Sequence, residues 1–229
     1  MAKYCGMENL RAMEAAEMGN NYVSDLIAKH CGEARRVVDF GAGIGSFAKR
    51  LRDGSREITC IETDDELLLK LKADGFQAHH SLNEFPDEAQ DYIYTLSVLE
   101  HIEHDEEVMR LFFKKLRAGG KAFIFLPAGR VLFGAMDRQV EHYRRYELRD
   151  LSHKLESIGF EIVDSGYFDF FGFFIMLLYK LLGFKNGLLS EKSVRLYDKI
   201  VFPLNRGLNL LVNRKLGKNL FVVAKKPVI

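Results

Sequence analysis

The run Val37-Val38-Asp39-Phe40-Gly41-Ala42-Gly43-Ile44-Gly45-Ser46 holds the residue types best placed to do chemistry. Glycines at 41 and 43 let an extended segment turn sharply into a helix and let a ligand approach the main chain, while the helix start offers unpaired N–H groups to an anionic group. A nucleotide-like ligand suits such a mouth. The dinucleotide fingerprint asks for a third glycine three positions after the second, and position 46 is serine. Asp39 also argues against a pyrophosphate, because its carboxylate ends the first strand beside the pocket; a ligand carrying an ammonium and a single carboxylate fits better. Glu62 follows Gly41 by 21 residues, the spacing at which an acidic side chain accepts from both ribose hydroxyls. An adenosine bearing an amino acid satisfies both features.

Other reactive residue types point less firmly. His101 and His104 flank Glu103 at i, i+3 spacing, which can hold a metal; a helix-capping or surface role is the simpler reading, and no metal is expected. Cys5, Cys31 and Cys60 are odd in number and form no CxxC pair, which argues against a disulfide framework or a thiolate zinc site and for a reducing compartment, the cytoplasm by default. The first ten residues include Lys3, Glu8 and Asn9 and lack an apolar run, so no secretory signal is read there. With 33 basic and 32 acidic side chains the net charge is +1, and the basic pair Arg144 and Arg145 sits beside Glu141 and Glu147. Nucleic acid is therefore not an expected partner.

The elements that must position these groups alternate. Helical spacing over residues 8–30, with a break expected at Gly19-Asn20-Asn21, precedes a strand over 36–40 that runs into a helix carrying Ile44, Phe47, Ala48 and Leu51 on one face. Strands follow over 57–62, 76–80, 91–96, 121–126 and 160–167, with helices over 65–73, 105–117 and 147–157, and a last apolar strand over 219–225. Alternation of this kind implies parallel βαβ units and a sheet covered by helices on both faces.

Asp39-Phe-Gly41-Ala-Gly43-Ile-Gly45 followed by Cys60-Ile-Glu62-Thr-Asp64 resembles the first two motifs of the class I S-adenosylmethionine-dependent methyltransferases. Val98-Leu99-Glu100-His101-Ile102 and Leu116-Arg-Ala-Gly-Gly120-Lys121 resemble later landmarks of that family, so the resemblance runs over residues 34–166 with 219–225 as its last, antiparallel strand. It implies an α/β Rossmann-like fold with a seven-stranded mixed sheet, and S-adenosylmethionine as cofactor. By position, Asp39, Gly41, Ala42 and Gly43 would border the methionine portion and Glu62 would hold the ribose. Thr63 and Asp64 would line the adenine edge, Ser81 and Leu82 would lie near the ring, and Ser97 would face the cofactor from the fourth strand. Many members place an Asp after the third strand, where this chain has His80-Ser81. The helical segment 1–33 would close on the cofactor through Tyr22.

The acceptor is approached by exclusion. Tyr94-Thr95-Leu96-Ser97 lacks the Asn or Asp followed by Pro-Pro-aromatic of enzymes that methylate exocyclic amines of bases or amide nitrogens, and no Asp-Asn pair of the magnesium-holding catechol type is evident. The stretch 134–146 resembles the Asp-to-Tyr loop of bacterial type 11/12-like methyltransferases and would form the acceptor side. His142 is its candidate general base, because a free imidazole, with its value near 6.5, suits proton transfer near neutrality; Tyr143 and Arg145 could grip an acceptor carboxylate or phosphate. Beyond the core, 34–167, the insertion 168–218 carries Phe168, Phe170, Phe171, Phe173, Phe174, Leu177 and Leu178 before the closing segment 219–229. Side chains that gain about 1.5–3 kcal/mol each on burial require a cover: a helical cap over the site, a homodimer interface, or a membrane surface that Tyr179, Lys180, Lys185, Lys192, Arg195 and Lys199 would suit. The expected acceptor is a small-molecule or lipid-like compound. Two other functions fit less of the chain: an NAD(P)-dependent oxidoreductase, although no Tyr is followed four residues later by Lys, and a non-catalytic, membrane-associated scaffold that binds the cofactor.

Overall fold

A computed structural model describes residues 7–182, 190–211 and 215–228. Cys5, Lys185 and the rest of residues 1–6, 183–189, 212–214 and 229 lie outside the described residues. The order of elements is α1 (Met7–Met13), α2 (Glu17–Cys31), β1 (Arg36–Phe40), α3 (Ser46–Leu51), β2 (Glu57–Ile61), α4 (Asp65–Ala73) and β3 (Gln77–His79). There follow β4 (Gln90–Leu96), α5 (Asp105–Lys115), β5 (Leu116–Pro127), α6 (Ala135–Gln139), α7 (Leu148–Ile158) and β6 (Glu161–Phe168). The chain ends with α8 (Phe170–Leu181), α9 (Glu191–Leu211) and β7 (Asn219–Lys225).

The strands form one seven-stranded sheet in the order β3-β2-β1-β4-β5-β7-β6, with β7 antiparallel to both β5 and β6 and the other pairs parallel. Alternate residues of each strand feed opposite faces, as the pleat requires. Val37, Tyr92, Phe123 and Phe221 pack with α2, α3 and α4 on one face; Val38, Ile93, Ile124 and Val222 pack with α5 and α7 on the other. Both faces are thus covered, which is why the central strands read as unbroken apolar runs. The chain order reverses between β1 and β4, and at such a switch point ligands bind outside the carboxyl ends of the strands. Phe40 pairs with Ile61 on one side and Thr95 on the other, so the ends of β1, β2 and β4 open onto that crevice together.

Two boundaries differ from the sequence expectation by more than two residues. The break in the first helical segment falls at residues 14–16, and Gly19 lies inside α2. The Asp198 carboxylate of α9 accepts from the amides of Met18 and Gly19, each at 2.8 Å. A Cβ on Gly19 would stand 3.4 Å from that carboxylate, so the glycine permits close approach of α9 instead of stopping the helix. β5 starts five residues earlier than expected, because Leu116 pairs with Gln90 ahead of an irregularity and the backbone of Gly119 and Gly120 bonds Lys226. Asp198→Ala leaves two N–H groups at a helix start without their acceptor; a loss of about 1–3 kcal/mol is expected in urea unfolding, with Asp198→Asn intermediate.

The insertion is helical. Asp169, buried and at φ 66°, joins β6 to α8 by accepting from Gly172 N at 3.0 Å, Lys218 Nζ at 3.0 Å, and the side chains of Tyr197 and Asn205. Phe168 and Phe202 carry the insertion's inner side onto α2, with Tyr22 stacked on Phe168 at 5.4 Å. The outer side stays open: Phe174, Leu178, Leu181 and Leu182 of this region and Leu196, Ile200 and Leu204 of α9 are exposed. Among the described residues no helix is long and apolar enough to cross a membrane.

Candidate active site

The turn after β1 is bound to the end of β2. The amides of Gly41 and Ala42 donate to the Ile61 carbonyl at 2.8 and 3.1 Å, and Gly43 N donates to Glu62 Oε2 at 2.8 Å. Glu62 Oε1 accepts from the amides of Thr63 and Asp64 at 2.7 and 3.0 Å. A carboxylate offers about four lone-pair sites, so Glu62 keeps one free while it clasps the turn. Gly41 has φ 77°, and a Cβ there would stand 2.3 Å from Val98 Cγ2, which ties the turn to the end of β4. Gly43, at φ 55°, lies under Leu10 of α1: a Cβ on it would stand 3.3 Å from Leu10 Cδ2. Glu14 reaches the same region and accepts from Ser46 Oγ at 3.0 Å.

Asp39 is buried at the end of β1. Burial first, and the charge of Glu62 besides, push its carboxyl up to about 7, against the opposing effect of the nearby Tyr94 hydroxyl. Such a group is poised to ionise when a cation arrives.

The remaining residues expected on the cofactor side divide. Asp64 caps α4, accepting from Glu66 N and Leu67 N, which leaves Thr63 as the exposed member of the pair. Ser81 caps the short helix that follows β3, its hydroxyl accepting from Asn83 N at 3.1 Å. Leu82 turns into the core with Ile61 and Leu99. Ser97 follows β4 at φ 52° and donates its amide to the Phe125 carbonyl at 2.8 Å. Tyr22 stacks on Phe168 and meets Phe202 edge to face, while Leu10 is the residue of the N-terminal segment that lies over Gly43 of the glycine turn.

The loop between β5 and α7, the expected acceptor side, folds back on the end of β4. Tyr146 bridges Ala128, and Tyr143 N donates to the Glu100 carbonyl at 2.8 Å. Buried Asp137 organises this loop: its carboxylate accepts from Gly134 N at 2.9 Å, from Arg145 Nε at 2.8 Å, and pairs with His142 Nδ1 at 3.0 Å. Burial alone would raise the Asp137 carboxyl, but the His142 hydrogen bond and the Arg145 charge hold it below the usual range. With Nδ1–H given to Asp137, the lone pair of His142 sits on Nε2. Arg145 is buried and also donates to the Ala128 carbonyl at 3.2 Å, so its guanidinium holds the loop together. Tyr143 is exposed. Sequence reading passed over Glu100, whose carboxyl, fully buried, is pushed up to about 8 by that burial against the nearby Arg145 charge. His101 is pushed down to about 4 by burial and by its neighbour His142. The available signal was an acidic residue inside the apolar run Val98-Leu99-Glu100-His101-Ile102.

Comparison with known proteins matches residues 15–165 to the model of a methyltransferase domain family. A Mycolicibacterium smegmatis protein described as a probable S-adenosylmethionine-dependent methyltransferase is 26% identical over 151 residues, covering 62% of this chain and 58% of that protein. The match therefore spans a little over half of that relative. A SAM-dependent methyltransferase from Archaeoglobus fulgidus superposes with TM-score 0.61 at 19% identity, over 90% of this chain and 94% of its own. One from Thermotoga maritima superposes with TM-score 0.66 at 14% identity, over 96% and 94%. These two establish the shared Rossmann-like methyltransferase fold.

Proposed function

The chain belongs to the methyltransferase-domain family, and on that premise we propose that it transfers a methyl group from S-adenosylmethionine to a small-molecule or lipid-like acceptor. The observation that carries this reading is the clasp of Glu62 on Gly43 beside buried Asp39, at the switch point of the sheet. The donor set fits the cofactor: one carboxyl for an ammonium, one carboxylate with a lone pair directed to a ribose, and N–H groups at the turn. S-adenosylmethionine supplies an electrophilic methyl group on a sulfonium.

The chain's own residues then have to orient two partners and exclude water, since in-line displacement is governed by alignment. Asp39 pairs the ammonium, Glu62 accepts the ribose hydroxyls, Thr63, Asp64 and Ser81 border the adenine, and Ser97 closes the cofactor side. Leu10 of α1 covers the turn and keeps water from it. On the acceptor side Nε2 of His142 offers a lone pair, Arg145 positions His142 through Asp137, and exposed Tyr143 is free to meet the acceptor. The exposed apolar residues of α8 and α9 support a lipid-like acceptor or a peripheral contact, with a lipid surface or a second copy of the chain.

Calorimetric titration with S-adenosylhomocysteine, with NADH and NADPH in parallel, tests the reading before any acceptor is known. Saturable binding of the homocysteine ligand alone is expected. Binding of a nicotinamide nucleotide in its place would reassign the glycine turn and withdraw the roles given to Asp39 and Glu62.

A further inference from the structure

Glu100 is 0% exposed, and neither of its carboxylate oxygens has a hydrogen-bond partner. The nearest donors, its own amide and the Ser97 hydroxyl, approach without meeting hydrogen-bond geometry. A buried carboxyl in that condition is costly unless something pairs it. What it faces is a pair of imidazoles. His142 Nε2 lies 3.8 Å from Glu100 Oε1, and the rings of His101 and His142 stand edge to face with centroids 4.5 Å apart. One ligand atom from each of the three residues lies within 4.8 Å of the other two.

Both imidazoles are held from behind. His142 gives Nδ1–H to Asp137, and His101 gives a ring N–H to the Val140 carbonyl. A carboxylate or main-chain carbonyl behind each histidine is the outer shell that metal-ligating histidines carry, and His142 turns its opposite nitrogen toward Glu100. We infer that Glu100, His101 and His142 bind a divalent first-row transition ion. Around an ion held at 2.0–2.2 Å, adjacent ligand atoms are about 3–3.5 Å apart, so the 3.8 Å separation closes with a shift of a few tenths of an ångström. Two imidazoles and one carboxylate suit Zn²⁺, Fe²⁺, Co²⁺ or Mn²⁺ better than Mg²⁺, which prefers oxygen.

The place of the ion gives it a use. Glu100 and His101 follow Val98, which packs on Gly41, and His142 belongs to the acceptor loop, so the ion stands between the cofactor turn and the acceptor. Three protein ligands leave coordination positions open. An acceptor hydroxyl bound there would give up its proton to solvent near neutral pH, and its oxygen anion would attack the sulfonium methyl, forming the O–CH3 bond as the S–CH3 bond breaks and its electron pair stays on the sulfur of the departing S-adenosylhomocysteine. This deepens the methyl-transfer reading and rests on it for the role of the ion: the acceptor class is an oxygen nucleophile able to ligate a metal, and His142 serves as ligand in place of base.

The test is titration of the chelator-stripped, tag-free chain with cobalt(II) chloride, read by visible absorption and by thermal unfolding. One saturating ion per chain, displaced by zinc and raising the unfolding temperature, is expected. Glu100→Gln and His142→Gln should each weaken cobalt binding by at least about 100-fold and Asp137→Asn by about 10- to 100-fold; His101→Gln, at a half-buried position, is the variant to use if Glu100→Gln fails to fold. His104→Gln and His79→Gln, at histidines outside the cluster, should leave it unchanged. Undiminished affinity in His142→Gln, or binding that vanishes in His104→Gln, overturns the site. S-adenosylhomocysteine titration of the same samples separates the two readings. Cofactor binding without cobalt binding removes the ion site alone, whereas cobalt binding without cofactor binding keeps the site and removes the methyl-transfer reading.

Discussion

Glu62→Ala is expected to lower the affinity for S-adenosylhomocysteine by about 100-fold or more while the sheet stays folded. Two losses combine. In the free protein Glu62 is the clasp of the turn, accepting from Gly43, Thr63 and Asp64, and without it three N–H groups lose their acceptor and the turn loses its fixed shape. In the proposed complex the same carboxylate would accept from the ribose, and hydrogen bonds to a charged acceptor are worth about 1.5–3 kcal/mol each. The one free lone pair in the unliganded turn has a further consequence: both ribose hydroxyls can be accepted only if an existing bond gives way, and the Gly43 N–H is the partner nearest the ligand. Glu62→Gln keeps one acceptor oxygen but turns an NH₂ toward backbone donors, so it should fall between Ala and the native residue. Folding is spared because Glu62 lies just past β2 and is only half-buried. Calorimetry alongside thermal unfolding checks both halves, and an unchanged affinity would take Glu62 out of the site.

The glycine turn and the strand ends beside it could be read from the sequence because their information is local. A strand that ends in Asp39, a turn whose glycines stand at φ 77° and 55°, and a second strand that ends beside the first are fixed by parallel register, Phe40 opposite Ile61. The acceptor side could not be read in that way. His101 invites pairing with His104 three residues on, yet its actual neighbour is His142, brought back by the bridge between Ala128 and Tyr146 and by the Tyr143–Glu100 backbone bond. No local spacing encodes that return. Gly19 shows the same limit in the helices, since a residue that breaks an isolated helix is kept within α2 where another helix must approach closely. The insertion's phenylalanines announced a need for burial but not its direction; Phe168 and Phe202 meet it on α2 and Phe174 does not.

Binding of S-adenosylhomocysteine is expected to release a proton near pH 6.5 and to weaken as the pH falls further, by up to about tenfold per pH unit, through Asp39. Its carboxyl is carried up to about 7 by burial, with the Glu62 charge adding to the effect. Below that pH the free protein holds the proton, and an ammonium paired with the ionised carboxylate must displace it. The same rise acts on stability with a definite sign. Between the unfolded value, near 3.9, and about 7 the folded chain binds the extra proton. Asp39 therefore stabilises the unliganded fold fully below that window, and its contribution is lost as pH rises through it, in all on the order of 4 kcal/mol. Asp39→Asn removes the carboxyl's charge, so the variant should be more stable than the native chain at pH 8 and should lose the proton release seen on binding at pH 6.5. It should also bind the ligand more weakly at pH 8, where the native carboxylate is charged and the amide is not. Calorimetry in two buffers of different ionisation enthalpy counts the protons, and urea unfolding at pH 5 and 8 reads the stability. A native chain and an Asp39→Asn variant with the same proton count would mean that the ammonium is met by some other group. A stability difference surviving without the proton difference would confine Asp39 to the fold, since burial alone raises a carboxyl whether or not a ligand ever uses it.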